Sequence, residues 1–235
     1  MSKSIQEGIL LIDKPAGITS HDVIDVLRRA FGIRQIGHAG TLDPFATGLL
    51  LVGVCKATKT LSQYVGLDKI YEATFVLGAS STTDDPEGTI TPSPNPSLAG
   101  GEMNALVKKA IRELTGEIQQ IPPAYSAIKI KGKKMYEAAR EGKPLVAPPR
   151  AVTVYSFDLI GPIGPIGPTP QGPISLHVKI HCSSGTYVRA LARDLGAKLG
   201  GGGYVSQLRR TAIGPFTIDK AIPLSELTPS DMLQS

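Results

Sequence analysis

Cysteine is scarce: Cys55 and Cys182 are the only two, they lie far apart, and neither belongs to a CxxC pair. A disulfide framework and a structural zinc site are both excluded as organising devices, and the two thiols are expected to be reduced core residues. No stretch approaches the roughly 18 consecutive apolar residues of a membrane-spanning helix. The first residues, Met-Ser-Lys-Ser-Ile-Gln-Glu, have neither the apolar centre of a secretory signal nor the Arg-rich amphipathic pattern of a transit peptide, so a cytoplasmic chain with no membrane association is expected. The sequence also lacks a GxxxxGKS/T loop, an HExxH pair, a GxSxG elbow and a GxGxxG turn after a strand. Nucleoside triphosphate and metalloprotease chemistries fall away with them. The run 200–203 is four glycines between a helical and a strand-like segment, which fits a helix end better than a phosphate cradle. The acidic cluster Asp84, Asp85 and Glu87 lacks the alternating offsets of a calcium loop and reads as a solvated turn.

What is present is an ordinary globular composition. Of 235 residues 41% are hydrophobic and 19% charged, enough to bury one large core. The formal net charge of +5 is concentrated: residues 129–150 hold seven basic side chains against Glu137 and Glu141, which equals the whole excess. Such a segment fits either a polyanion-contacting arm or a solvated loop.

Hydrophobic spacing outlines the elements. Residues 8–13 read as a strand that stops at Lys14-Pro15-Ala16-Gly17, and 21–31 as an amphipathic helix with Ser20 as N-cap and Gly32 beyond its end. Strands are expected over 49–54, 71–77, 151–160, 174–182 and 204–213, and further helices over 57–65, 102–114 and 187–199. Tyr71, Ala73, Phe75 and Leu77 fall on one face of their strand. Residues 37–48 and 80–101 read as loops, and the Gly-Pro repeat over 161–173 as an extended hairpin insertion. Strands and helices are interspersed without strict βαβ alternation, which predicts an α+β fold on a mixed, largely antiparallel sheet. No linker is evident, so 1–235 is expected to be a single domain.

The most chemically suggestive stretch is the Gly-rich loop 37–48, with His38, Asp43 and Pro44. An aspartate on such a loop, feeding straight into a buried strand, can be held rigidly and exposed as a nucleophile or base. Taken alone, Asp before Pro is more often just a turn dipeptide, and His38 fits an ordinary surface histidine.

The loop is not alone. It closely resembles the signature of the bacterial tRNA pseudouridine synthase B family, and Leu11-Ile-Asp-Lys-Pro-Ala-Gly-Ile-Thr-Ser20 resembles the first motif of that family. Lys69-Ile-Tyr71 is similar to the segment carrying its active-site tyrosine, and the stretch from His181 to Gly196, with Tyr187 and Arg189, to its third motif. Ile121 to Lys134 and Ser206 to Gly214 are two more matches, so the resemblance spans the chain from about Gly8 to Gly214.

The resemblance implies a pseudouridine synthase fold and isomerisation of uridine 55 in the T arm of tRNA, with no cofactor and no metal. It makes Asp43 the catalytic carboxylate, Arg189 its partner and Tyr71 the ring stacked on the flipped base. An ordinary phenol with a pKa of about 10 is a poor base at neutral pH, so stacking comes first for Tyr71. His38 would fill the vacated stack, and Tyr187 and Leu208 would wall the uracil pocket. The basic stretch becomes an RNA-gripping thumb over about 124–150, with Lys129, Lys131, Lys133 and Lys134 as RNA contacts. A monomer that needs no protein partner and carries no C-terminal PUA domain is expected. The pattern departs from the family at Ala39, where Thr is usual, at Ser184, where Lys is common, and in the 161–173 insertion. The alternatives are an RNA-binding or tRNA chaperone protein without turnover, and a synthase acting on another RNA.

Overall fold

The computed structural model describes residues 7–93, 103–130, 132–166 and 172–227. The chain opens with β1 (Gly8–Lys14), whose apolar run ends at the predicted Pro-Gly turn, and continues into α1 (Ser20–Phe31). The helix is capped by Thr19, one residue before the expected Ser20. The Thr19 side chain accepts from the Asp22 amide at 3.1 Å and the Asp22 carboxylate accepts from the Thr19 amide at 2.8 Å, a capping box that frees Ser20 to point inward. Gly32 closes the helix with a φ of 67°. Strands β2 (Ile36–Ala39) and β3 (Thr47–Val54) follow, so the stretch read as one long loop is a loop only over 40–46, and His38 sits on a strand. The expected helix over 57–65 is a 3₁₀ turn, Cys55–Thr60, followed by one turn of α-helix, α2 (Ser62–Val65). Next comes β4 (Lys69–Leu77), with Tyr71, Ala73, Phe75 and Leu77 buried as their spacing predicts.

The stretch 80–101 contains structure where loop was expected: β5 (Ala79–Ser81) and β6 (Ile90–Pro92) form a small hairpin. Then come α3 (Met103–Glu113), β7 (Gly116–Gln120), the short pair β8 (Lys129–Ile130) and β9 (Lys133–Lys134), and α4 (Met135–Arg140). Strands β10 (Arg150–Leu159) and β12 (Ile174–Cys182) pair antiparallel, and between them β11 (Gly164–Pro165) folds back onto β12, with Gly164 opposite Ser175. The Gly-Pro insertion therefore starts and ends as a hairpin; 167–171 lie outside the described residues. The rest is α5 (Val188–Lys198), β13 (Gly203–Ile213), β14 (Phe216–Thr217) and β15 (Ile222–Pro223).

The residues fall into two compact units, divided after Tyr71 and again before Leu208. In the first, strands run in the order β15-β1-β3-β13, with β2 on β3 and β14 on β13. Strand β3 is antiparallel to β1 and parallel to β13. It is buried from Gly48 to Val54 because both faces are covered: Leu50, Val52 and Val54 pack with Val23, Ile24 and Leu27 of α1, while Leu49 and Leu51 pack with Ala39 and Ile213. In the second unit the order is β13-β4-β12-β10-β7. Alternate residues Ile174, Leu176, Val178, Ile180 and Cys182 of β12 are buried, and Phe75 meets Phe157 edge-on at 5.8 Å. The glycine run after α5 serves close approach as well as helix termination: a Cβ on Gly196 would lie 2.1 Å from the backbone of Gly202. Both cysteines are free thiols, Cys182 buried and Cys55 half-buried. Among the described residues no helix is long and apolar enough to cross a membrane.

Candidate active site

In the first unit, the loop carrying Asp43 is held by its backbone. Ser20, freed from capping, accepts from the Leu42 amide at 2.9 Å and donates to the Leu42 carbonyl at 3.1 Å. Fully buried Lys14 extends its ammonium to the carbonyls of Pro15 (2.8 Å), Ile18 (2.7 Å) and Pro44 (3.2 Å). The Gly17 amide also donates to the Pro44 carbonyl, at 2.9 Å, and the Ala46 amide closes a tight turn on the Asp43 carbonyl at 3.1 Å. Both neighbours of Asp43 are thus pinned, so its backbone has little freedom while its half-buried side chain remains accessible.

His38, on β2, lies opposite Val52. It is half-buried, and its Nδ1 is a buried atom without a hydrogen-bond partner among the described residues. Burial, with smaller contributions from the His21 and Arg210 charges, lowers its pKa below the ordinary 6.5, so the ring is neutral at physiological pH. Tyr71, 9% exposed, sits near the start of β4, and Leu208, 7% exposed, on β13 accepts from the Thr47 hydroxyl at 3.5 Å through its carbonyl.

In the second unit, Arg189 lies on α5 and is 4% exposed. Its guanidinium donates to the Asp85 carboxylate at 3.0 Å and to the carbonyls of Thr83 and Tyr125, each at 2.9 Å. Asp85 is 2% exposed and also accepts from the Glu87 amide at 3.0 Å. Its neighbour Asp84 pairs with Arg193 at 3.1 Å, yet burial outweighs that cation and raises the Asp84 pKa. The acidic cluster is therefore no solvated turn: two of its carboxylates are committed to α5, and Asp85 is part of the core. Tyr187, just before α5, exchanges two bonds with buried Gln120, the Tyr187 amide donating to Oε1 at 2.8 Å and Nε2 donating to the Tyr187 carbonyl at 3.1 Å.

The basic segment forms the β8–β9 hairpin and α4, anchored by fully buried Met135. Its charge is partly matched internally. Lys133 pairs with Glu141, and Lys134 pairs with Glu137 at 3.5 Å and donates to the Tyr136 hydroxyl at 3.0 Å. The Tyr136 hydrogen bond, then its charge and that of Glu137, raise the Lys134 pKa. Lys129 is exposed on β8, and Lys131 lies outside the described residues.

Residue type alone gives no role to Lys14 or Arg210 and makes Asp85 part of a solvated cluster. Lys14 and Arg210 stand inside family-like motifs; the burial of Asp85 has no local signal, because its partner is 104 residues away. Among the described residues no group of three or more His, Cys, Asp or Glu is placed to hold a metal ion.

Residues 28–188 match the family model of the N-terminal domain of TruB family pseudouridylate synthases, and 189–234 match that of the tRNA pseudouridylate synthase B C-terminal domain. A tRNA pseudouridine synthase B of Corynebacterium efficiens is 50% identical over 220 residues, 94% of this chain and 71% of that protein. One of Leifsonia xyli is 47% identical over 229 residues, 97% of this chain and 74% of that protein. Among solved structures, a Cbf5-Nop10-Gar1 complex superposes with a TM-score of 0.67 at 28% identity, over 95% of this chain and 54% of the matched one.

Proposed function

This chain belongs to the TruB family of pseudouridylate synthases, an isomerase that makes pseudouridine in tRNA, and on that premise we propose that it acts on uridine 55 of the T arm with Asp43 as the catalytic carboxylate. The observation that carries the reading is the loop itself: Ser20, Lys14 and Gly17 fix the backbone on either side of an accessible Asp43. A carboxylate so placed meets the reacting carbon without first having to be ordered.

Isomerisation breaks the N1–C1′ bond of uridine, turns the uracil, forms the C5–C1′ bond and releases the C5 proton while N1 gains one. Asp43 serves either as the nucleophile at C1′ or as the base of a glycal route. Arg189 favours the ionised form of Asp43, and Tyr71 stacks on the extruded base. Tyr187 and Leu208 wall the pocket, and the neutral ring of His38 replaces the base in the stack. Extrusion costs a few kcal/mol. The thumb, through Lys129, Lys131, Lys133 and Lys134, offsets this by contacting phosphates. Both units act as one catalytic domain, as a monomer in the cytoplasm.

The test is tritium release from a T-arm hairpin labelled at uracil C5, comparing the wild type with Asp43→Asn. Release by the wild type alone is expected. Binding by both proteins with release by neither, from hairpin or whole tRNA, would favour an RNA-binding protein or another RNA target.

A further inference from the structure

Among the described residues the largest fully buried side chain is a cation, Arg210 on β13, which is 1% exposed. Arginine keeps its charge at any physiological pH, so its burial is costly unless acceptors surround it. Its acceptors among the described residues are main-chain carbonyls: Nε donates to Leu49 at 2.8 Å, one terminal nitrogen to Gly40 at 2.9 Å and the other to Thr41 at 3.4 Å. Gly40 and Thr41 enter the Asp43 loop and Leu49 leaves it, so one rigid fork holds the two ends at a fixed separation.

The backbone of Arg210 makes a second hold on the same loop. Arg210 is paired in register with Gly48, and Gly48 takes a φ of 104° there. A Cβ at position 48 would lie 2.3 Å from the Arg210 carbonyl oxygen. Fork and strand therefore clamp both ends of the loop at one residue. Fixing the ends of a short segment fixes the course of its middle, which is where Asp43 lies.

We infer that Arg210 is a positioning residue for the pseudouridine-forming reaction, setting the reach of the Asp43 carboxylate through the Gly40, Thr41 and Leu49 carbonyls. The inference rests on the assignment of Asp43 as the catalytic carboxylate. Lysine preserves the buried charge but replaces the planar fork by a single ammonium that cannot span both ends. Misplacement of a reacting group by about 1 Å costs on the order of 100-fold in rate.

The experiment uses the whole chain and C5-tritiated tRNA under single-turnover conditions, with the rate counted per binding-competent enzyme molecule. Arg210→Lys and Arg210→Met are compared with Asp43→Asn, alongside tRNA affinity and thermal unfolding. The expected result is that Arg210→Lys binds tRNA within about twofold of the wild type and loses on the order of 100-fold in rate, with Arg210→Met lower still. A wild-type rate in Arg210→Lys would overturn the inference, as would loss of fold and binding in both variants, which would assign Arg210 to stability alone. Turnover by Asp43→Asn would instead sink the assignment of the carboxylate.

Discussion

Arg189 and Asp85 form a buried ion pair: a guanidinium nitrogen lies 3.0 Å from the carboxylate, with the two side chains 5% and 4% exposed. Removing one partner from such a pair costs far more than the pair contributes against an apolar replacement, because the remaining charge stays in low dielectric. Asp85→Ala is expected to lower unfolding stability by about 3 to 5 kcal/mol, and Asp85→Asn by less, since an amide oxygen still accepts. Urea unfolding measures both; a loss under about 1 kcal/mol in the alanine variant would show that the other partners of Arg189, the Thr83 and Tyr125 carbonyls among them, suffice.

A second expectation concerns acid. The pKa of His38 is depressed in the folded chain below 6.5, mainly by burial. The unfolded chain therefore takes up the proton first as pH falls, and the contribution of His38 to stability is complete above 6.5 and declines below it toward the folded value. His38→Gln should flatten that part of the stability curve. Equal slopes for wild type and variant between neutral and mildly acid pH would contradict this.

The third bears on the thumb. Because Lys133 and Lys134 are already matched by Glu141 and Glu137, phosphates gain them only in exchange for those partners. Neutralising Lys131, Lys133 and Lys134 together should weaken tRNA binding and reduce the salt dependence of log Kd by roughly one to three units, with the single-turnover rate at saturating enzyme nearly unchanged. An unaltered salt slope would reject the thumb as an RNA contact.

Much of this molecule could be read from residue order, and the exceptions have physical causes. The apolar spacing of Val23, Ile24 and Leu27 announced α1, and alternation from Ile174 to Cys182 gave β12 residue for residue. Both are local signals. The capping site was misplaced by one because Thr19 and Ser20 are both good caps, and only the inward bonds to Leu42 distinguish them. Strand β2 was hidden because Gly37 and His38 have little strand preference; pairing with β3 imposes the extension. For Asp85, as for Arg210, the partner that decides the environment is more than a hundred residues away, and no window of sequence contains both. The candidate site was therefore legible as a set of residue types, while the buried contacts that hold those residues in place were not.

The clamp on the Asp43 loop also has a consequence for how the protein is made. Arg210 reaches back 170 positions to Gly40. During synthesis the loop leaves the ribosome long before Arg210, so α1, β1, β2 and β3 can assemble early, with the bonds from Lys14, Gly17 and Ser20, while the loop between β2 and β3 still lacks the Arg210 fork. Nearly nine-tenths of the 235 residues must be translated before that loop acquires its final course. If Asp43 is the catalytic carboxylate proposed above, a nascent or prematurely terminated chain carries it without the Arg210 clamp, and full competence arrives only with β13.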